Sequence, residues 1–181
     1  RQTTFYTQIL GLEILSQTEE EVLLGAGGKP LVHLIQTDRT ESVKASYGLY
    51  HMAILLPSRE DLADVFKHIA KLNVPFVGAA DHGYSEALYL EDPEGNGIEL
   101  YRDKSVAEWD IREDGCIIGV TEELSAQEIY EMGHKVEPFQ IASATRMGHI
   151  HLSVRDSQAT SVFYQKVLEL SDKFTVPSAS W

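Results

Sequence analysis

Apolar positions along the chain follow two periods. Over residues 3–12 they recur at helical spacing, with Phe5, Ile9 and Leu12 on one face and Gly11 as the stop. Three short runs follow, 13–16, 22–24 and 31–36, and they predict strands. Residues 25–28, Gly-Ala-Gly-Gly, make the loop between the last two. The polar stretch 37–46 reads as a surface connection. Residues 48–56 form the next apolar strand, with His51 near its start and Pro57-Ser58 ending it. Ser58, with Asp61 three positions on, caps a helix that runs through Lys71 and carries Leu62, Val65, Phe66 and Ile69 on one face. Asn73-Val74-Pro75 closes this helix, and a strand over 76–78 leads onward.

Residues 81–101 then predict a hairpin around which the rest is organised. It reads His82, an apolar strand bearing Tyr89, the turn Asp92-Pro93-Glu94-Gly95-Asn96-Gly97, and a strand carrying Glu99. Pro93 presets φ for the turn, and Gly95 and Gly97 can take positive φ. Glu99 and Tyr101 share one strand face, while Ile98 and Leu100 point to the other. An inward carboxylate at Glu99 needs a cation or metal to offset its desolvation. Asp92, Gly95 and Asn96 belong to the turn itself. The pattern over 48–101 is therefore strand, helix and three strands.

Residues 104–146 break this order and read as an ordered linker with Trp109, a strand over 115–120 and a helix from Ser125 to about Met132; its His134 reads as a surface residue. Residues 147–154 (MGHIHLSV) start another unit, followed by a helix that Asp156-Ser157 caps and that bears Val162, Phe163 and Leu168. That helix repeats the first one: Phe5-Tyr6…Leu10-Gly11-Leu12 matches Phe163-Tyr164…Leu168-Glu169-Leu170. In the later copy a strand precedes the helix, so a strand is expected before Arg1, and further strands after Trp181. We therefore expect two strand–helix–three-strand units over 1–103, the first lacking its opening strand, and the truncated start of a further unit over 147–181. The chain reads as part of a longer protein.

Composition narrows the partners. The 181 residues are 43% hydrophobic and 24% charged, an ordinary globular balance. A net charge of −13, from 28 acidic and 15 basic residues, argues against nucleic acid or an anionic membrane surface. No apolar run reaches the length of a membrane span. The single cysteine, Cys116, lies in an apolar run without a nearby histidine and reads as a packed thiol; the absence of a disulfide framework makes a cytoplasmic setting the expectation.

Tandem βαβββ units with a late DPEGNGIEL turn and an FYxxxLGL helix resemble the vicinal oxygen chelate superfamily. It includes glyoxalase I, extradiol ring-cleavage dioxygenases, fosfomycin-resistance enzymes and bleomycin-binding proteins. The resemblance implies an α+β fold in which paired units form a cupped mixed sheet around a metal. A sharper match is to the extradiol dioxygenase signature, met by His82, Leu88-Tyr89, Asp92-Pro93, Gly95 and Glu99, with Ala80 as a mild departure. Together with GHIHLSV it looks like the catechol 2,3-dioxygenase-like branch of two-domain proteins.

That resemblance implies a non-haem iron(II) centre of two histidines and one carboxylate, with open positions for an aromatic diol and O₂. His51 and Glu99 match the second histidine and the glutamate. The first histidine is supplied either by a strand before Arg1 or by His149, if the unit of His51 pairs with the unit starting at Met147; His151 is the second choice. His82 and Tyr89 match the groups that hydrogen-bond substrate and oxygen intermediate. No separate organic-cofactor site is expected. The alternatives are a glyoxalase-type lyase or thiol transferase using manganese, nickel or zinc, which usually adds a further glutamate, and a non-catalytic cup that binds a small molecule. Taken alone, His51 on an apolar strand is more often packed than ligating, Tyr89 can simply pack, and His82 can be a surface turn residue; their company carries the reading. His33 alternates away from its apolar neighbours and is a weak candidate. Exposed strand edges favour self-association, giving a homo-oligomer.

Overall fold

The computed structural model describes residues 1–38, 47–135 and 137–180. Most of the expected connection over 37–46 lies outside the described residues. The fold is α+β. A helix α1 (Gln2–Thr4) widens at once into a π-helical turn over Phe5–Ile9. The sequence pattern over 3–12 predicts a regular helix, and the wider turn is the difference. Leu10 N–H bonds back to Phe5 C=O and Leu12 N–H to Tyr6 C=O. Gly11 ends the turn at φ +75°, where a Cβ would meet the Phe139 ring at 2.7 Å, so both conformation and space require glycine. The first three strands, β1 (Glu13–Gln17), β2 (Glu21–Ala26) and β3 (Lys29–Ile35), form an antiparallel sheet in sequence order.

The second sheet positions the site. Strand β4 (Gly48–Leu55) is followed by helix α2 (Arg59–Lys71), then β5 (Gly78–Asp81), β6 (Ser85–Glu91) and β7 (Gly97–Asp103). The Ser58 hydroxyl accepts from Asp61 N–H at 3.1 Å, as the capping pattern predicts. A strand expected over 76–78 instead runs over Gly78–Asp81, with Val77 N–H bonded to Tyr89 C=O at 2.7 Å just ahead of it. The linker region carries two short pairing strands, β8 (Asp110–Ile111) and β9 (Ile117–Ile118), and helix α3 (Ala126–Met132). A strand expected over 115–120 is thus only two residues long, since Gly115 takes positive φ and the chain turns away to meet β5 at the Asp81–Glu122 bridge. Strand β10 (Arg146–Ser153) and helix α4 (Ser157–Leu168) complete the large elements.

The five strands run in the order β10-β4-β7-β6-β5. Here β4 and β7 are parallel, because α2 returns the chain across the sheet, while β10 pairs antiparallel with the outer side of β4. Alternation sorts the faces. Ile54, Leu56, Leu88, Leu90, Ile98 and Leu100 are fully buried in the main core with Leu62, Val65 and Ile69 of α2. Burial of each such leucine or isoleucine contributes about 1.5–3 kcal/mol. The opposite face holds a smaller cluster, Ala53, Leu55, Ala87 and Tyr101 with Tyr89 against it. This second face also carries the chemistry.

Two polar anchors brace the hairpin. Asp92 is buried in the turn, where it accepts from Glu94 N–H, Asn96 N–H, Asn96 Nδ2 and the Tyr6 hydroxyl. Burial and then the neighbouring Asp92 carboxylate raise the Tyr6 phenol. The turn roles expected for Asp92 and Asn96 are those observed, and Tyr6 ties the first helix to them. Glu86, also buried, pairs with Arg102 at 2.6 Å and Arg59 at 2.9 Å. Among the described residues no helix is long and apolar enough to cross a membrane.

Candidate metal centre

Strand register brings the donors together. His51 lies opposite Gly97 and Ala53 opposite Glu99 in the parallel β4–β7 pair, so His51 and Glu99 lie one side-chain step apart on one face. On the other side of β4, His151 is opposite His51 and His149 opposite Ala53. A bulge between Met147 and His149 carries His149 toward the same face. Gly148 makes room for it: a Cβ there would lie 2.1 Å from the Tyr101 hydroxyl.

The result is a cluster of His51, Glu99 and His149 whose ligand atoms all lie within 4.8 Å of one another. Glu99 Oε2 is 2.9 Å from His51 Nε2 and 3.2 Å from His149 Nε2. The side chains of Glu99 and His51 are almost wholly buried, 5% and 9% exposed, whereas that of His149 is 45% exposed. One buried carboxylate thus faces two imidazoles, of which that of His149 is half exposed. Despite the short approach, His51 Nε2 is buried and makes no hydrogen bond. A buried polar atom without a partner costs stability unless something else satisfies it. Two imidazole nitrogens and a carboxylate oxygen on one face suit a divalent transition metal, and an ion there would satisfy this nitrogen. The donor set therefore fits a metal.

The electrostatics agree with an ionised carboxylate. Burial opposes the charge on Glu99, but the His149 and His51 imidazoles outweigh it and hold the group at about 2. His151 stacks edge-on to His51 with ring centres 4.7 Å apart. Burial, then the neighbouring His51 and His149, lower its pKa, so it favours the neutral form. His151 stands beside the cluster and outside the three donors.

Tyr89 pairs across strands with Glu99. Its phenol is pushed upward by burial first and the Glu99 charge second, so it remains protonated. Its hydroxyl is 2.8 Å from His82 Nε2, and the other ring nitrogen of His82, Nδ1, is 2.9 Å from Val120 C=O. His82 and Tyr89 are therefore coupled to each other on the face that holds the three donors. Tyr101, pushed up to about 12 by burial and then by Asp103 and Glu99, lines the cup beside His149, with ring centres 5.2 Å apart.

The remaining candidates lie elsewhere. His33 pairs with Glu21 at 3.0 Å on the first sheet, both half exposed. His134, expected at the surface, is exposed and meets Asp64. Sequence reasoning did not find the part played by the segment after β7: Val120 contributes a backbone carbonyl, which has no signature in a sequence. The role of Tyr101 had a signal, its position two residues from Glu99 on the same strand face.

Comparison with known proteins agrees with this architecture. The model of the "Glyoxalase/Bleomycin resistance protein/Dioxygenase superfamily" matches residues 1–100. The chain is 33% identical over 171 residues to a protein from Bacillus subtilis (strain 168) named "Catechol-2,3-dioxygenase", covering 93% of this chain and 60% of that protein. It is 29% identical over 115 residues to "Biphenyl-2,3-diol 1,2-dioxygenase 3" of Rhodococcus globerulus, covering 56% of this chain and 55% of that protein. The chain thus spans somewhat over half the length of these relatives. The crystal structure of the cppA protein from Streptococcus pneumoniae TIGR4 shares the fold, with a TM-score of 0.51 at 15% identity over 84% of this chain and 54% of that one. With a matched family model over more than half its length and the cupped sheet that goes with it, the chain belongs to the glyoxalase/bleomycin resistance protein/dioxygenase superfamily.

Proposed function

We propose that this chain carries the centre of an extradiol ring-cleaving dioxygenase, which opens a catechol-type aromatic diol with O₂. His51, Glu99 and His149 would hold iron(II). The observation that supports this most is the cluster of His51, Glu99 and His149, set on the same sheet face as the His82–Tyr89 pair. The two named relatives are dioxygenases of aromatic diols. The chemistry that iron(II) would supply there, when bound, is a common binding place for diol and O₂ and a path for electrons between them.

The chain's own residues would do the rest. Glu99 stays ionised and offsets the charge of the ion. Tyr89, protonated and buried, contacts a phenolic oxygen of the diol, and His82 behind it accepts or returns the proton. Tyr101, Ala53 and Ala87 pack beneath this face as a small buried cluster that holds Tyr89 in place. A lyase using manganese, nickel or zinc would use a fourth protein ligand. Among the described residues the cluster holds three donors, which favours open positions for diol and oxygen.

The test is anaerobic loading with iron(II), followed by turnover of catechol in air, read as the yellow ring-fission product. Wild type and Glu99→Ala are compared. Stoichiometric iron and yellow product in the wild type, both lost in the variant, are the expected result. Bound metal without ring opening would overturn the ring-cleavage reading, and failure of the wild type to bind any metal would overturn the centre itself.

A further inference from the structure

We infer that the backbone of Val120, outside the cup, is a positioning group for His82: it fixes which ring nitrogen carries the proton and thereby the direction of the Tyr89 hydrogen bond. A carbonyl oxygen accepts and cannot donate. The 2.9 Å contact between His82 Nδ1 and Val120 C=O therefore requires the hydrogen on Nδ1. In the neutral ring Nε2 then has only a lone pair, so the 2.8 Å contact with Tyr89 is an O–H donated by the tyrosine. Free neutral histidine favours the opposite tautomer, with the hydrogen on Nε2, which would compete with Tyr89 as donor. With the proton on Nδ1, His82 Nε2 is left as an acceptor for the Tyr89 hydroxyl, which also lies against the Glu99 carboxylate.

The segment that supplies this carbonyl is held against His82 at several points. Val120 N–H donates to His82 C=O at 3.1 Å, so one residue grips the histidine through both backbone groups. Two residues on, Glu122 and Asp81 exchange backbone bonds, Asp81 N–H to Glu122 C=O at 3.0 Å and the reverse at 2.9 Å. Lys104 Nζ closes the corner on the Asp81 carboxylate at 2.6 Å. The Tyr84 ring packs under Gly119, where a Cβ would come within 2.8 Å of it. A free surface loop would make none of these contacts. The chemistry they set up is a relay. A phenolic O–H of a substrate can pass its proton to Tyr89 Oη as the Tyr89 hydrogen moves to His82 Nε2, leaving an imidazolium whose Nδ1–H is held by the Val120 carbonyl. No oxidant or reductant enters this step.

The relay rests on the ring-opening reading for its substrate, whereas the tautomer does not. The test is therefore long-range ¹H–¹⁵N NMR of the full chain, with and without zinc(II) as a diamagnetic ion. The His82 signals are assigned by their loss in His82→Gln. Wild type should show a protonated Nδ1 and an unprotonated Nε2, and Tyr89→Phe should keep that pattern because the carbonyl remains. An Nε2–H tautomer in the wild type, or a switch to it in a folded Tyr89→Phe, would overturn the inference. A protein that opens no ring yet keeps the Nδ1–H tautomer would remove the proposed function and leave this inference standing.

Discussion

At the scale of single residues, the cup separates groups by what surrounds them. His149 and His151 are two positions apart on one strand face, and the family resemblance puts His149 first and His151 second. The bulge before His149 and the small Gly148 settle their positions: His149 reaches Glu99 at 3.2 Å, and His151 stacks on His51 instead. The two variants should accordingly differ in iron(II) affinity. His149→Ala removes one of the three clustered donors and, on the proposed reading, should weaken binding by more than about 100-fold, the upper end of what loss of an outer partner costs. His151→Ala should leave affinity within about tenfold, the lower end of that range. Titration with a competing chelator distinguishes them, and equal losses would place both imidazoles on the metal. The inward facing of Glu99 was legible earlier, because strand alternation sets it opposite to Ile98 and Leu100.

At the scale of elements, the parallel pair β4–β7 controls the distance between donors. Gly97 sits opposite His51, and a Cβ there would lie 2.3 Å from Tyr50 C=O and 3.0 Å from the His51 Cβ. Gly97→Ala should push the strands apart at the rung that carries His51. Overpacking of this kind costs about 1–3 kcal/mol. The loss should appear in urea unfolding of the apo chain, and iron(II) affinity should fall with it although no ligand has changed. An unaltered affinity would show that the cluster tolerates a wider strand spacing. Gly95 takes positive φ as the DPEGNG pattern predicts, but Gly97 does not: the reason for a glycine there is a neighbour 46 residues earlier in the chain. Likewise a π-helical turn over Phe5–Ile9 replaced a regular helix: Leu10 N–H bonds back five residues to Phe5 C=O, and Tyr6 within the turn reaches Asp92.

At the scale of the whole molecule, the repeated helix motif shows how far sequence likeness and environment can part. Phe5, Leu10 and Leu12 are buried in the main core at 8%, 0% and 3% exposure. Their counterparts Phe163, Leu168 and Leu170 are 55%, 57% and 56% exposed. Equal truncations should thus have unequal consequences in this chain. Leu10→Ala leaves a cavity and should cost about 2–5 kcal/mol. Leu168→Ala should stay within about 0.5 kcal/mol, as for other surface changes. Chemical unfolding of the two variants measures this, and similar losses would mean that α4 is covered in solution.

Sequence by itself determined the local pieces: the helix capped at Ser58, the alternation that sends Glu99 and Tyr101 to one face, the turn built on Asp92 and Gly95, and the repeat of the Phe-Tyr helix. Each follows from short-range period, capping or turn chemistry, which a residue carries wherever it is placed. The family likeness followed from the same pieces in order. Tertiary structure alone decided that β10 lies beside β4, that a bulge selects His149, and that Val120 faces His82. Those outcomes depend on strand partners far apart in the chain and on backbone atoms that every residue shares, so no side-chain pattern records them.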